Sequence, residues 1–482
     1  MFKEHPRGLQ VLFLTEMWER FSYYGMRAIL VLFMTAAVAS GGLGIDSANA
    51  TAIYGLYTFG VYAMALPGGW VADRIMGQKR SVLIGGILIA LGNFSLAVPG
   101  MPTFYLGLVL VIFGTGMLKP NVSAIVGELY PEGGARRDAG FSIFYMGINV
   151  GAVLGQFICA WVGEKIDWHL GFLAAGIGMT LGVIQFMSRG KWLGDAGTIK
   201  GEEASENMIS KAKRQFLMGI GVTVVIVIGL VLYYQAAGSF NIVSFAEGTG
   251  FILLAVAILY FIAIIIFACK DGDERKRVGM ITILFLGAIV FFGGFEQAGS
   301  SMNLFARDFT DRVVFGWEVP TGWLQNINPL FIVTLAPVIG ALWVKLGDKN
   351  PSIPVKFGLG LILLGAGFFV LAWGSMFVEA GKVNPMWLIV TYFFHTVGEL
   401  CLSPVGLSSI TKLSPQRLVG QMMGTWFMGA ALGNLIAGLV AGYIESFPQY
   451  LLFAVVGGFV AVTGLIFVLL YKPIKSLATD IN

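Results

Sequence analysis

Fourteen apolar stretches, each about 20 residues or more and so long enough to cross roughly 30 Å of hydrocarbon, constrain this chain more than any other feature. They fall near 11–40, 50–72, 80–99, 103–129, 139–162, 168–188, 215–238, 248–269, 278–306, 322–344, 355–378, 384–411, 418–444 and 448–471. A polar stretch, 189–214, follows the sixth and carries Lys191, Lys200, Glu202, Glu203, Glu206, Lys211 and Lys213. The pattern predicts an all-α polytopic membrane protein with a six-helix bundle over 1–190. A cytoplasmic linker with two inserted transmembrane helices follows over 191–277, and a second six-helix bundle over 278–482. With 57% hydrophobic and only 12% charged residues among 482, a soluble domain is excluded.

The distribution of Lys and Arg tests the count, because one missed helix would scramble the sides on which they fall. With both termini inside, 24 of the 31 basic residues lie on the inner side, among them Lys3, Arg74, Lys79 and the run Lys270 to Arg277. Lys165, Arg307, Arg312 and Lys382 lie outside. Arg20, Arg27 and Lys119 remain, inside predicted helices. The net charge of +4 is accounted for by topology and does not point to nucleic acid.

Other classes find little support. Cys159, Cys269 and Cys401 show no CxxC or metal-type spacing. The first apolar stretch contains Glu16, Glu19 and Arg20, which a signal-peptide core would not tolerate, so the first helix is expected to be retained. There is no GxxxxGK[ST] motif for a nucleotide and no nucleophile with its base, so neither a pump driven by nucleotide hydrolysis nor an enzyme is expected. A secondary transporter with no cofactor is the reading that remains.

An ionised side chain at mid-bilayer costs about 2.5–3.5 kcal/mol on insertion scales, and seven such residues need a reason. At about 100° per residue, Glu16, Glu19, Arg20, Tyr23, Tyr24 and Arg27 share one face of the first helix, with Trp18, Phe21 and Ile29 on the other. Glu16 and Arg20 stand at i, i+4, the favourable order for an ion pair. Lys119 lies in the fourth helix beside Pro120. Its candidate partners are Glu16 and Glu19 in the same half, or Glu399 in the other. Glu296 in the stretch 278–306 and Glu399 in the stretch 384–411 complete the set.

Cations mainly in the first half and acids in the second suit a zwitterion. Arg27 and Lys119 can hold a carboxylate, and Glu399 or Glu296 an ammonium. Asn149 and Asn328 offer matched donors and acceptors for intervening amides. Tyr23, Tyr24, Tyr62, Trp426 and Phe427 can line side-chain pockets. Four interior carboxylates against three cations leave one excess negative charge, which makes a protonatable Glu a natural carrier; the residues alone leave sodium open.

Several motifs carry a family resemblance. Gly69-Trp-Val-Ala-Asp73-Arg74-Ile-Met-Gly77-Gln-Lys79-Arg80 resembles the loop signature of the major facilitator superfamily, whose architecture pairs two six-helix bundles. Glu16-Met-Trp-Glu19-Arg20-Phe21-Ser-Tyr23-Tyr24-Gly25 resembles the ExxERFxYYG signature of the proton-dependent oligopeptide transporters. So do Leu118-Lys119-Pro120-Asn121, Phe141 to Gly151, Asn328-Pro329-Leu330-Phe331 and Gly398 to Gly406 at their places. The resemblance spans the chain, and bacterial members are known for two extra helices between the bundles. It implies proton-coupled symport of di- and tripeptides, and of peptide-like drugs, across a bacterial inner membrane, with lipid as the surroundings and the proton as coupling ion. It also implies site roles: Glu16, Glu19, Arg20, Lys119 and Glu296 in proton coupling, and Arg27 facing the peptide carboxylate with Lys119 nearby. Glu399 would face the peptide amino terminus, Glu296 would pair with Arg27, and Tyr23, Tyr24, Tyr62, Asn149, Asn328 and Trp426 would contact the peptide. Two departures matter. Residues 50–72 lack the histidine of animal members, and Phe295 stands where several bacterial relatives carry a second acid. Related branches carry nitrate and other solutes, an alternative that Glu399 disfavours because it repels an anion.

Overall fold

The computed structural model describes residues 4–132, 134–199, 205–236, 238 and 240–478. Lys3, Lys200, Glu202 and Glu203 lie outside the described residues. Every one of the fourteen apolar stretches falls on a helix or a pair of short helices. Among the described residues, eleven helices are long and apolar enough to cross a membrane. The other three stretches fall on the charged first helix α1 (Arg7–Thr35), on the broken second span, and on α8 (Glu206–Ala236).

The chain packs as two compact units, Met1–Ile29 with Gly60–Phe245 and Leu30–Phe59 with Ala246–Asn482. The second span is not one helix: α2 (Ser47–Ala63) gives way at Met64 to α3 (Ala65–Val71). Pro67 explains the break, since it lacks the N–H that would reach back to the Ala63 carbonyl.

In the first unit, α3 runs into a π-helical turn, Ala72–Met76, followed by α4 (Gln78–Leu96), α5 (Met101–Glu128), α6 (Gly134–Lys165) and α7 (Trp168–Arg189). Gly77 ends the π turn at φ +81°, a conformation that glycine reaches without a Cβ penalty. A Cβ there would also sit 3.0 Å from the Gly197 carbonyl. The Lys79 amide donates to that same carbonyl at 3.0 Å and its ammonium to the Gly194 carbonyl at 2.7 Å. The loop signature thus clasps the segment after α7.

Pro120 stands inside α5 without ending it. The carbonyl it leaves unbonded is that of Gly116, four residues back, and Gly68 of α3 packs directly on it. Neighbouring backbone covers what the proline exposes.

In the second unit, α9 (Ile242–Ala263) and a π-helical turn lead to α10 (Gly272–Phe295). The stretch 278–306 then breaks: a 3-10 turn, Glu296–Gly299, separates α10 from α11 (Ser301–Asp308). A two-residue hairpin, β1 (Val313–Val314) with β2 (Trp317–Glu318), follows. The remaining helices are α12 (Ile327–Leu346), α13 (Ile353–Ser375), α14 (Met386–Leu413), α15 (Val419–Ala441), α16 (Gln449–Leu469) and the short α17 (Tyr471–Lys475). The charges at the helix ends of this unit are not merely solvated: Arg417, just before α15, meets both carboxylate oxygens of Glu274 in the first turn of α10, at 2.7 and 2.6 Å.

Candidate functional site

Within the first unit, α1 carries the densest charge and is held by α6. Gly147, Gly151 and Gly155 recur every four residues on α6, so they line one stripe. A Cβ on Gly147 would lie 3.0 Å from the Phe13 carbonyl, and Cβ atoms on Gly151 and Gly155 would collide with the carbonyls of Met17 and Phe21. The stripe therefore exists to let the two backbones touch. Phe21 also fills the space beside Gly178 of α7, and Trp18 that beside Gly182, so the far side of α1 faces protein.

Charges on α1 are buried as a group: Glu19 has no exposed surface, and Glu16, Arg20 and Arg27 are 2%, 3% and 7% exposed. The Arg20 Nε lies 2.8 Å from Glu16 Oε1 and 2.7 Å from Glu19 Oε2. One guanidinium thus serves two carboxylates. Its plane also stands 5.7 Å from the Tyr23 ring centre and 5.9 Å from that of Tyr24. Lys119 places its ammonium 4.1 Å from the centre of the Tyr62 ring, within electrostatic reach of Glu19. Of the partners considered for Lys119, Glu19 is one the first unit brings near. Asn149 donates back along its own helix to the Tyr145 carbonyl at 3.0 Å.

The second unit gathers a different cluster. Asn328, in the first turn of α12, donates to Glu399 Oε2 at 3.2 Å and to Thr396 Oγ1 at 3.0 Å. Glu296 sits at the 3-10 break between α10 and α11, 5% exposed, with its carboxylate within electrostatic reach of Glu399. Trp426 is 5% exposed, lies edge-on to Phe292 and Phe357 and packs onto Gly406.

Sequence reasoning missed Thr396, which orients Asn328 while its own hydroxyl donates to the Tyr392 carbonyl. The signal was present, since Thr396 and Glu399 stand at i, i+3 on one face of α14. Two residues that bear on the interior charge tally are now placed. Arg307 is matched by Asp308 at 2.7 Å and donates to Thr35, and Glu128 accepts from the Gly197 amide at 3.2 Å. Among the described residues, no group of three His, Cys, Asp or Glu side chains is arranged to hold a metal ion.

Residues 79–457 match the model of the POT family. A peptide transporter of Yersinia enterocolitica subsp. palearctica, YePEPT, is 40% identical over 99% of this chain and 96% of its own. A di-/tripeptide transporter of Lactococcus lactis subsp. cremoris is 39% identical over 100% of this chain and 98% of its own. A crystal structure of a peptide transporter POT in complex with sulfate superposes with a TM-score of 0.92, at 40% identity, covering 99% of this chain and 96% of the other. The all-α, major facilitator-type fold expected from the sequence is in keeping with that match. Motifs, fold and full-length similarity agree, and the chain belongs to the POT family of membrane transporters.

Proposed function

We propose that this protein is a proton-coupled symporter that imports di- and tripeptides across the inner (plasma) membrane by alternating access, with both termini cytoplasmic and no cofactor. The carrying observation is the sharing of Arg20 by two buried carboxylates, Glu16 and Glu19. One guanidinium cannot neutralise both, and the charge left over in a medium of low dielectric demands either a second cation or a proton. Lys119 is the cation at hand. A peptide carboxylate that recruits Lys119, together with Arg27, leaves Glu19 without its counter-charge, and a proton takes that place. Binding of substrate and binding of the proton are then one coupled equilibrium.

Glu399, held by Asn328, is the group we assign to the peptide ammonium, with Glu296 beside it as a second acid that can exchange charge with Arg27. Tyr23, Tyr24, Tyr62 and Asn149 on the first unit, and Asn328 and Trp426 on the second, are assigned to the walls around the substrate. Residues 1–190 and 278–482 are read as the moving bundles and 191–277 as an insertion between them. Full-length relatives that are themselves peptide transporters support the substrate class. A carrier of nitrate or another plain anion is disfavoured because Glu399 would repel its cargo.

Purified protein in liposomes tests the proposal. Labelled dialanine should accumulate when the outside is acidified, and accumulation should collapse on adding a protonophore. No uptake under that gradient, or uptake that follows sodium instead, overturns it. A competition panel of amino acids, di-, tri- and tetrapeptides and nitrate then defines the substrate class.

A further inference from the structure

The loop signature and the start of α8 meet at a small cleft of about 90 Å³, lined by Arg74, Met208, Lys211, Ala212 and Gln215. Ala212, 5% exposed, is where α8 packs closely. On either side of it two cations border the same space. Among the described residues neither the Arg74 guanidinium nor the Lys211 ammonium takes part in a hydrogen bond or ion pair. Two acids near Arg74 have donors of their own: Asp73 and Glu128 line, together with Arg74, an adjoining cavity of about 490 Å³, where Asp73 accepts from Gln78 and Glu128 from the Gly197 amide.

Two like charges facing one cleft repel, and a bound anion reverses the sign of the interaction. Immediately beside them Trp70 of α3 stacks on Phe216 of α8, 6.4 Å between centres and 22° from parallel. Trp70 and Arg74 are four residues apart, as are Ala212 and Phe216, so the aromatic pair lies one turn along from the cleft. Beyond it the surface of α8 becomes apolar, with Leu217 and Ile220 exposed by 66% and 44%. This order, cations, then aromatics, then hydrocarbon, is the profile of a membrane interface. A soluble anion would use the cations alone; a phospholipid uses all three layers.

We infer that the cleft between Arg74 and Lys211 binds the phosphate of an anionic phospholipid from the inner leaflet, with its glycerol against Trp70 and Phe216 and its acyl chains along α8. Basic pockets at the inner ends of transmembrane helices favour such headgroups. The lipid ties the inserted helix to the loop signature, which gives the insertion a role that its lack of interior charge does not otherwise suggest. The inference rests on the inner-side placement of these loops and not on the peptide assignment, so the two can fail separately.

The test uses the full-length protein, delipidated in detergent, with bound lipid counted by native mass spectrometry. Dioleoylphosphatidylglycerol should be retained about tenfold more strongly than dioleoylphosphatidylcholine. An R74Q/K211Q double variant should lose that preference, and the charge-keeping R74K/K211R variant should retain it. Inorganic phosphate at the same concentration should not displace the lipid. Equal retention of both lipids by the wild type, or an undiminished preference in the double variant, overturns the inference. So does displacement by inorganic phosphate, which would make the cleft a site for a free anion. Should the double variant fail to fold, the exposed single change Lys211→Gln decides: a weakened preference supports the site and an unchanged one overturns it.

Discussion

The Nε of Arg20 lies 2.7 Å from a carboxylate oxygen of Glu19, a side chain with no exposed surface. If that carboxylate carries the proton, removing its charge should uncouple transport without destroying binding. Glu19→Gln is expected to reduce gradient-driven dialanine uptake to background while leaving counterflow exchange within about twofold of wild type, because exchange needs no net proton movement. Equal loss of both activities would move Glu19 from coupling to folding or binding.

Arg20 itself should behave as a structural counter-ion. Arg20→Ala leaves Glu16 and Glu19 buried without their shared partner, and stranding a buried charge costs about 3–5 kcal/mol. The variant is expected to lose much of its thermal stability in detergent. Adding Glu16→Gln and Glu19→Gln to it should recover a substantial part, since no charge then remains to be compensated. A triple variant no more stable than Arg20→Ala would show that Arg20 acts through packing on Tyr23 and Tyr24 instead.

How much of this was legible in the sequence differs from residue to residue. The helices were readable because hydrocarbon imposes its own length on each span, and the shared face of Glu16, Glu19 and Arg20 follows from helical phasing alone. The breaks were not, since apolar periodicity is blind to them. Pro67 could have signalled the break at Met64, but the 3-10 turn at Glu296 has no proline to announce it. Gln297 reaches for the Gly293 carbonyl and Ser301 for Gln297, and such local bonds compete with regular helix. Likewise spacing left Lys119 three candidate partners, and the Tyr62 ring of α2 beneath its ammonium was not foreseeable from it. The Glu274–Arg417 pair joins residues 143 apart, beyond the reach of any local pattern.

The two ends of the substrate can be tested independently. Asn328, which also donates to Thr396, donates to one carboxylate oxygen of Glu399, and the other oxygen is the one we assign to an ammonium. Glu399→Gln should raise KM for dialanine by at least about tenfold, because a lost charge partner in a buried site costs about 2 kcal/mol or more. N-acetyl-dialanine, which has no ammonium, should be affected little by the same change. Arg27→Ala should show the mirror pattern, weakening dialanine but not its C-terminal amide. If Glu399→Gln discriminates against the amide instead, the peptide lies in the opposite direction.

The α1–α6 contact supplies a test of architecture that is independent of charge. Gly155 presents no side chain where the Phe21 carbonyl of α1 passes, so any Cβ must push the helices apart. Overpacking of this kind costs about 1–3 kcal/mol, and here it also displaces the segment that carries Glu19 and Arg20. Gly155→Ala is expected to lower the thermal midpoint and to slow uptake, whereas Gly190→Ala, whose Cβ would meet nothing within 4 Å, should do neither. The decisive measurement is the comparison of thermal midpoints for the two variants with the wild type. A Gly155→Ala protein as stable and as active as the Gly190→Ala protein would mean that α1 can shift along α6 freely, and the position of the charged face would then have to be fixed by its own ion pairs.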